Sequence, residues 1–164
     1  MRYRNSWLNA KVRAINSVAN NVREFQLVPE GDTLPFSVGS HLDFLLPINQ
    51  NVELRSYSLV GTYKKNEPYT VSVKQLENSR GGSAYMWTLK VGDMVKISQP
   101  SNHFELSLNT KSYLLIAGGI GITPILGMAE ELSNKPDVNL TMLYLGRNPS
   151  EMPYLETLNT LLGN

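Results

Sequence analysis

The apolar pattern of the chain changes near residue 113, and this change limits what the chain can fold into. Before it, short stretches of alternating apolar and polar residues are separated by turn residues, which predicts an antiparallel barrel or sandwich. After it, Tyr113–Ala117 is a continuous apolar run followed by Gly118-Gly-Ile-Gly121. Such a run is typical of a parallel strand covered on both faces. We therefore expect two domains, at residues 1–104 and 111–164.

The first domain contains six stretches with strand character. Ser83–Leu89 does not alternate and follows the turn residues Arg80-Gly-Gly82, so we expect one short helix between the fifth and sixth strands. The prediction is an antiparallel six-stranded β-barrel. Its expected strands are Leu8–Ile15, Val22–Val28, His41–Leu46, Leu54–Val60, Thr70–Lys74 and Met94–Ser98.

The second domain follows a β-α-β-α order, the beginning of a doubly wound α/β sheet. Thr123 is expected to cap its first helix, with Pro124 in the first helical position, and Asn134-Lys-Pro136 to end it. Leu140–Leu145 is a second apolar strand, and Ser150 is expected to cap a last helix. Because a stable sheet normally needs three or more strands, we expect a partial domain.

Composition excludes several classes of function. The chain has 15 Lys and Arg against 14 Asp and Glu, which leaves no basic surface for nucleic acid. It has no cysteine, so it cannot hold a thiolate zinc site or a cysteine-ligated iron–sulfur cluster. His41 and His103 have no partner acid at a recognisable spacing; we interpret both as structural and expect no metal site. Without a secretory signal or a membrane span, a cytoplasmic location is expected.

One strand carries residues suited to a ligand with both an aromatic ring and a phosphate. In Arg55-Ser-Tyr-Ser58, alternation places Arg55 and Tyr57 on one face and Ser56 and Ser58 on the other. Arginine offers a planar fork of donors for a phosphate, and tyrosine offers an aromatic face. The alternative interpretation is a solvent-facing arginine beside a core tyrosine.

Glycines mark two further segments. Arg80-Gly-Gly-Ser83 precedes the short helix, where the backbone could approach an anion; a flexible turn is the alternative. Gly118-Gly-Ile-Gly-Ile-Thr-Pro124 joins a strand to a helix, which is where α/β sheets bind nucleotides. Since Pro124 replaces the third glycine of the dinucleotide fingerprint, a tight strand-to-helix turn is the alternative here.

In this order the motifs resemble the ferredoxin–NADP reductase superfamily, and most of all its phthalate dioxygenase reductase and vanillate demethylase reductase branch. They are Arg55-Ser-Tyr-Ser-Leu59, Val73-Lys74, Arg80-Gly-Gly-Ser83 and Ala117-Gly-Gly-Ile-Gly-Ile-Thr-Pro124. The resemblance covers essentially the whole chain and implies a flavin-binding barrel followed by a pyridine-nucleotide domain. Relative to that branch, we expect the chain to lack the end of the nucleotide domain and the [2Fe–2S] ferredoxin domain.

The resemblance also implies roles for the residues of the barrel motifs. Arg55 would bind the flavin phosphate together with the glycine turn before the short helix, while Tyr57 and Ser58 line the flavin ring. Val73 and Lys74 would flank the polar edge of that ring. The residues expected at the flavin are Arg55, Ser56, Tyr57, Ser58, Val73, Lys74, Gly81, Gly82 and Ser83.

A second set of roles concerns the nicotinamide. By the same resemblance Gly119, Gly121 and Thr123 would place it beside the flavin, and Arg147 would begin the contacts to the rest of the dinucleotide. The implied activity is hydride transfer from NADH to FMN, with FAD as the alternative, and electron transfer to an oxygenase or a ferredoxin-type acceptor. NADH against NADPH stays open.

Two other functions fit the same motifs. The barrel could hold a flavin while the partial second domain fails to use NADH, or the chain could be an interaction domain without a flavin. The last strand and the leucine face of the last helix are also expected to lack neighbours, which favours self-association. That face consists of Leu155, Leu158, Leu161 and Leu162.

Overall fold

The computed structural model describes residues 6–163 and begins with an antiparallel sheet. The sheet runs in the order β4-β3-β6-β1-β2-β5, with β7 paired to β3. A bridge between Leu59 and Val71 joins its two ends, so the sheet closes into a barrel. The expected strands are thereby confirmed, and the two-residue β7 is added to them. They are β1 (Leu8–Ala19), β2 (Val22–Pro29), β3 (Ser40–Ile48), β4 (Asn51–Ser58), β5 (Tyr69–Lys74), β6 (Met94–Ile97) and β7 (Ser101–Asn102).

The inward-facing apolar side chains of the strands fill the barrel. In β3, every second side chain is buried, while the residues between them are more accessible. Together with the inward residues of the neighbouring strands they form one apolar cluster. Because a shift of one residue would turn this whole set outward, the pattern also holds the register of the strands. The inward residues of β3 are Leu42, Phe44, Leu46 and Ile48.

The expected short helix is α1 (Gly82–Thr88), and Trp87 anchors it to the barrel. The indole Nε1 of Trp87 donates to the Val73 carbonyl oxygen at 3.2 Å, which attaches the helix to β5. Arg23 of β2 donates to the Trp87 carbonyl oxygen at 3.1 Å, and its guanidinium lies 4.2 Å from the centre of the indole ring. These contacts attach α1 to the barrel wall near its carboxyl end.

The second part of the chain has the expected β-α-β-α order. Strands β8 and β9 are parallel, in a register that runs from Ser112 opposite Asn139 to Gly118 opposite Leu145. Its elements are β8 (Ser112–Gly118), a 3₁₀ turn (Gly119–Gly121), α2 (Ile122–Ser133), β9 (Asn139–Leu145), a second 3₁₀ turn (Pro149–Glu151) and α3 (Leu155–Leu162).

Both expected helix caps are wrong. Helix α2 begins at Ile122, so Thr123 and Pro124 lie inside its first turn, where the missing N–H of proline is tolerated. Helix α3 begins at Leu155, and the residue before it is Tyr154, with a φ of 62°. Ser150 lies in the preceding 3₁₀ turn, and its hydroxyl bonds to the Asn148 side chain instead of a helix N–H.

Among residues 6–163, the parallel sheet is covered on one face only, which corrects the expectation from its apolar run. Leu115 and Ala117 pack against α2, but Leu114 and Ile116 of the same strand are 61% and 55% exposed. In β9, the outward leucines Leu143 and Leu145 are also exposed, at 45% and 55%. We call these four residues the open face; they are Leu114, Ile116, Leu143 and Leu145.

The leucine face of α3 does have neighbours, contrary to expectation. Leu158 is only 3% exposed, and Leu161 and Leu162 pack against the apolar cluster that α2 forms with the parallel sheet. Among the described residues, the large exposed apolar side chains of this part of the chain therefore lie on the sheet and not on α3.

The two apolar clusters meet where backbones approach closely. A Cβ atom at Gly127 of α2 would lie 2.3 Å from the carbonyl oxygen of Gly61, so only glycine fits there. Val38, from the loop before β3, belongs to the cluster of the second part. Within residues 6–163, no helix is long and apolar enough to cross a membrane.

Candidate functional site

A cavity of about 280 Å³ lies between the barrel wall and the start of the second part. Strands β4 and β5, helix α1 and the 3₁₀ turn after β8 all contribute to its wall. Three of the four sequence motifs therefore meet in it directly, and the fourth contributes one residue. The predicted site residues that line it are Arg55, Tyr57, Val73, Lys74, Gly82 and Ser83; Ser72, Leu76, Ser79, Arg80 and Ile120 complete the wall.

The alternation of β4 separates the residues of its motif, as predicted. Arg55 and Tyr57 face the cavity. Ser56 and Ser58 lie instead along a second concavity, which His103 also lines. The role of the two serines at a flavin stays a prediction, and the structure does not bring them to the wall formed by Arg55.

Arg55 makes three hydrogen bonds: two within β4, one of them an ion pair with Glu53, and one to the turn before α1. Its Nη2 donates to Glu53 Oε2 at 2.6 Å and to the Arg80 carbonyl oxygen at 3.0 Å. Its Nη1 donates to the Leu54 carbonyl oxygen at 2.9 Å. The guanidinium is thus fixed beside the backbone N–H groups of a helix start, and both kinds of donor suit an anion.

The two glycines before and in α1 make room for this arrangement. Gly81 has a φ of 95°, which disfavours any side chain, and a Cβ atom there would lie 2.2 Å from Cγ2 of Ile48. A Cβ atom at Gly82 would lie 2.9 Å from Nε of Arg55. The absence of both side chains leaves a cradle of backbone and guanidinium donors, which fits a phosphate group.

Ser79 is a site residue that the motifs missed. Its Oγ accepts hydrogen bonds from Gly81 N at 3.1 Å and Ala84 N at 3.3 Å, and from the hydroxyl of Ser83 at 2.9 Å. Serine is a common residue type just before a helix, and this was the available signal. Ser83 therefore points toward the same cradle.

Tyr57 supplies the aromatic part of the wall. Its ring meets Phe44 edge-on, with centroids 5.2 Å apart and an interplanar angle of 84°. Burial raises the pKa of Tyr57 to about 12, an effect that nearby Arg55 partly offsets. The phenol is therefore neutral at physiological pH, and an uncharged aromatic surface next to a basic cradle suits a ring that carries a phosphate.

The β5 side of the cavity combines apolar and charged groups. Val73 is buried, whereas Lys74 is partly exposed and its Nζ lies 3.7 Å from Glu151 Oε2. The lysine thus reaches the edge of the cavity with its charge paired to the segment that precedes α3.

The glycine segment Gly118–Thr123 borders the cavity through Ile120. A Cβ atom at Gly119 or Gly121 would meet nothing within 4 Å, so both face open space. Thr123 is buried, and its hydroxyl donates to the Ile120 carbonyl oxygen at 3.1 Å, which stiffens the segment. Their role at a nicotinamide stays a prediction.

Arg147 and the two histidines lie away from this cavity. Arg147 is exposed after the end of β9. The rings of His41 and His103 have centroids 5.2 Å apart, and His41 Nε2 lies 3.7 Å from Asp43 Oδ1. That carboxylate also accepts a hydrogen bond from the Ser56 hydroxyl at 2.5 Å, so the histidines belong to a polar surface cluster.

This combination of a closed barrel, a cradle for an anion and an adjacent α/β unit defines a class of flavoproteins. Residues 9–106 match the family of oxidoreductase FAD-binding domains, and since this is more than half of the chain, the protein belongs to that family. Within it, the similar proteins are reductase components of oxygenases, with the fold of the ferredoxin–NADP reductases.

Two curated relatives illustrate the similarity. The phthalate 4,5-dioxygenase oxygenase reductase subunit of Pseudomonas putida is 37% identical over 151 residues, which cover 90% of this chain and 46% of the relative. The phthalate dioxygenase reductase of Burkholderia cepacia is 34% identical over 157 residues, covering 94% and 48%. The chain thus spans about half the length of these relatives.

A solved structure of a phthalate dioxygenase reductase superimposes on the chain with a TM-score of 0.84. The two share 32% sequence identity, and the match covers 94% of this chain and 48% of that one. That structure is described as modular, for electron transfer from pyridine nucleotides to [2Fe–2S]. The fold and the family expected from the motifs are confirmed.

Proposed function

We propose that the chain carries the flavin-reducing part of an oxygenase reductase: it binds FMN in the barrel cavity and accepts hydride from NADH. The main support for this proposal is the cavity itself, which is lined by Arg55, by Tyr57 and by the glycine start of α1. Residues 1–104 would form the flavin domain and residues 111–164 the start of the nucleotide domain.

The residues of the cavity divide this work by their chemistry. Arg55 and the backbone at Gly82 would hold the phosphate through charge-assisted hydrogen bonds. Tyr57 would bind one face of the ring, and Val73 and Lys74 would contact its edge. Bound flavin supplies the two-electron and one-electron chemistry. The protein then has to orient the donor and exclude water, for which no side-chain acid or base is required.

We propose FMN in preference to FAD because Arg55 and the glycine start of α1 would offer donors to one phosphate group. The electron acceptor proposed for the reductase is an oxygenase, in keeping with the names of the similar proteins, or a ferredoxin-type protein. The proposed location is the cytoplasm. We also propose self-association, through the open face Leu114, Ile116, Leu143 and Leu145.

A flavin-binding module without NADH turnover is the second candidate, and the open face favours it. The parallel sheet has only the strands β8 and β9 among the described residues, and one of its faces is uncovered. A nucleotide site built on so small a sheet would hold the glycine segment less firmly than a complete sheet does.

A titration with FMN followed by anaerobic reduction separates these functions. The proposal expects saturable quenching of FMN fluorescence and loss of the flavin absorption band after NADH is added. Binding without reduction by NADH, while dithionite still reduces the bound flavin, would support the module. Failure to bind FMN would overturn both and support an interaction domain. Repeating the titration with FAD tests the choice of flavin.

A further inference from the structure

The segment Pro149–Tyr154, here called the linking segment, ties the glycine segment to the barrel through residues outside all the motifs. Tyr144 of β9 makes the first connection. Its hydroxyl lies 3.1 Å from the carbonyl oxygen of Gly119 and 2.9 Å from that of Pro153. Because a phenol has a single proton, it donates to these carbonyls one at a time, and either choice keeps the two backbones adjacent.

Tyr154 makes the second connection, from the linking segment to the barrel. Its hydroxyl lies 2.5 Å from Ser72 Oγ and 2.8 Å from Glu24 Oε2. Ser72 belongs to β5 and lines the cavity. Tyr154 also has a φ of 62°, a backbone region that disfavours a bulky residue. The surrounding contacts must hold it there, which is typical of a residue under a functional constraint.

Two contacts strengthen the same connection. Glu151 pairs with Lys74 at 3.7 Å, again on β5. The backbone N–H of Asn20, in the turn after β1, donates to the Ser150 carbonyl oxygen at 2.8 Å. The linking segment is therefore attached to three separate strands or turns of the barrel.

These contacts matter because the two sheets share no strand pairing among the described residues. The distance between the glycine segment and the β5 wall must then be set by side chains and loops. Hydride transfer requires reacting atoms at about 3–3.5 Å, so an error of one ångström in that distance is costly.

We propose that Tyr144 and Tyr154 are positioning residues: through the linking segment they set where Gly119 and Ile120 lie relative to Ser72 on the cavity wall. In the proposed reductase this sets the distance between nicotinamide and flavin, so this part of the inference rests on the proposed function. Neither tyrosine lies among the motif residues expected at the flavin or the nicotinamide, and neither is needed as an acid or base.

Hydrogen exchange of the flavin-free full chain tests the positioning without any cofactor. In Tyr154→Phe the amides of residues 119–123 should exchange about fivefold faster or more, although Tyr154 makes no hydrogen bond to them. Tyr144→Phe should do the same, with the barrel strands unchanged. Tyr113→Phe is the matched control, since its hydroxyl makes no hydrogen bond in residues 6–163 and exchange should stay as in the wild type. Wild-type exchange in both test variants overturns the proposal.

Rapid anaerobic mixing of the FMN-loaded chain with NADH tests the consequence. The limiting reduction rate should fall about 10- to 100-fold in Tyr144→Phe and Tyr154→Phe, with FMN affinity and the half-saturating NADH concentration unchanged. The proposal would be overturned if the limiting rates were unchanged, or if the loss of rate were explained by a loss of bound FMN. If NADH fails to reduce even the wild type, the proposed function fails, and the exchange experiment still decides whether the tyrosines position the segment.

Discussion

The side chain of Arg55 lies directly against the Cα atom of Gly82, so a Cβ atom there would be 2.9 Å from Nε and 3.0 Å from Cδ of the arginine. The guanidinium that is proposed to bind phosphate is thus packed onto the helix start that is proposed to bind the same phosphate. The two motifs form one site because the glycine allows the arginine to occupy that place.

Gly82→Ala should therefore weaken FMN binding by displacing the guanidinium. We expect a loss of about 1–2 kcal/mol, within the range of one hydrogen bond to a charged group. Stability to urea should hold or rise slightly, because alanine is favoured over glycine in a helix. A double-mutant cycle with Arg55→Ala is the control: once the arginine is gone, the added methyl group should have no further effect on FMN affinity. Additive losses would show that Gly82 acts independently of Arg55.

Arg55→Ala should weaken FMN by about 1.5–3 kcal/mol, the contribution of a charge-assisted bond. Fluorescence titration measures this loss. Arg13→Ala is the matched control, since Arg13 is exposed on β1 and lines no part of the cavity. Equal affinity of the Arg55 variant and the wild type would remove Arg55 from the phosphate site.

The barrel and the division of β4 into two faces were predictable from sequence because a strand with one buried face must alternate. A shift of one residue would bury Arg55 and expose the core. The alternating pattern therefore determines which face of the strand each side chain occupies. The covering of β8 was not predictable. The same apolar run, Tyr113–Ala117, is compatible with one or two covered faces, and only the three-dimensional neighbours of Leu114 and Ile116 distinguish them.

The predicted positions of the helix starts were wrong for a local reason. The Thr123 hydroxyl bonds to the Ile120 carbonyl oxygen, so a residue of the capping type is used inside the turn. In other contacts the two residues are too far apart in the sequence for a local motif to predict that they meet. Tyr154 and Glu24 are 130 residues apart, and no local pattern connects them.

Gly121→Ala should affect NADH and little else. Gly121 has a φ of −63°, which any residue adopts, and a Cβ atom there would meet nothing within 4 Å. Stability should stay the same or rise by up to about 1 kcal/mol, because alanine restricts the unfolded chain. FMN affinity should not change, whereas reduction by NADH should slow if the nicotinamide lies against this glycine. Unchanged NADH kinetics in a stable, FMN-bound variant would remove Gly121 from the nicotinamide site.

Alkaline pH should destabilise the fold through its buried phenols. Burial raises the pKa of Tyr57 and Tyr144 to about 12 and raises that of Tyr154 further. Below about pH 10 these groups are protonated in both states and stability does not depend on them. Above it the unfolded chain releases protons that the folded chain retains, so the free energy of unfolding falls toward pH 12.

Absorbance at the phenolate band and circular dichroism, recorded together, check this expectation. The buried phenols should titrate only as structure is lost, and Tyr57→Phe should make the decline in stability less steep. Complete titration near pH 10 with the circular dichroism unchanged would contradict the assignment of buried, neutral phenols.

The open face should make the chain associate as its concentration rises. Leu114 and Ile116 are 61% and 55% exposed, and they lie beside Leu143 and Leu145 on a sheet whose strands each have one partner among the described residues. Apolar area and a free strand edge both favour contact with a second copy. Light scattering over a concentration series measures this association.

Placing charge on the open face tests whether its apolar area or the free strand edge causes the association. The double variant Leu114→Lys with Ile116→Lys should be monomeric, because burying two ammonium groups costs more than the remaining apolar contact returns. Val91→Lys is the matched control, since Val91 is 63% exposed in a barrel turn away from the sheet. If the double variant still associates, the free strand edge and not the open face joins the copies. A wild-type chain that stays monomeric at every concentration contradicts self-association altogether.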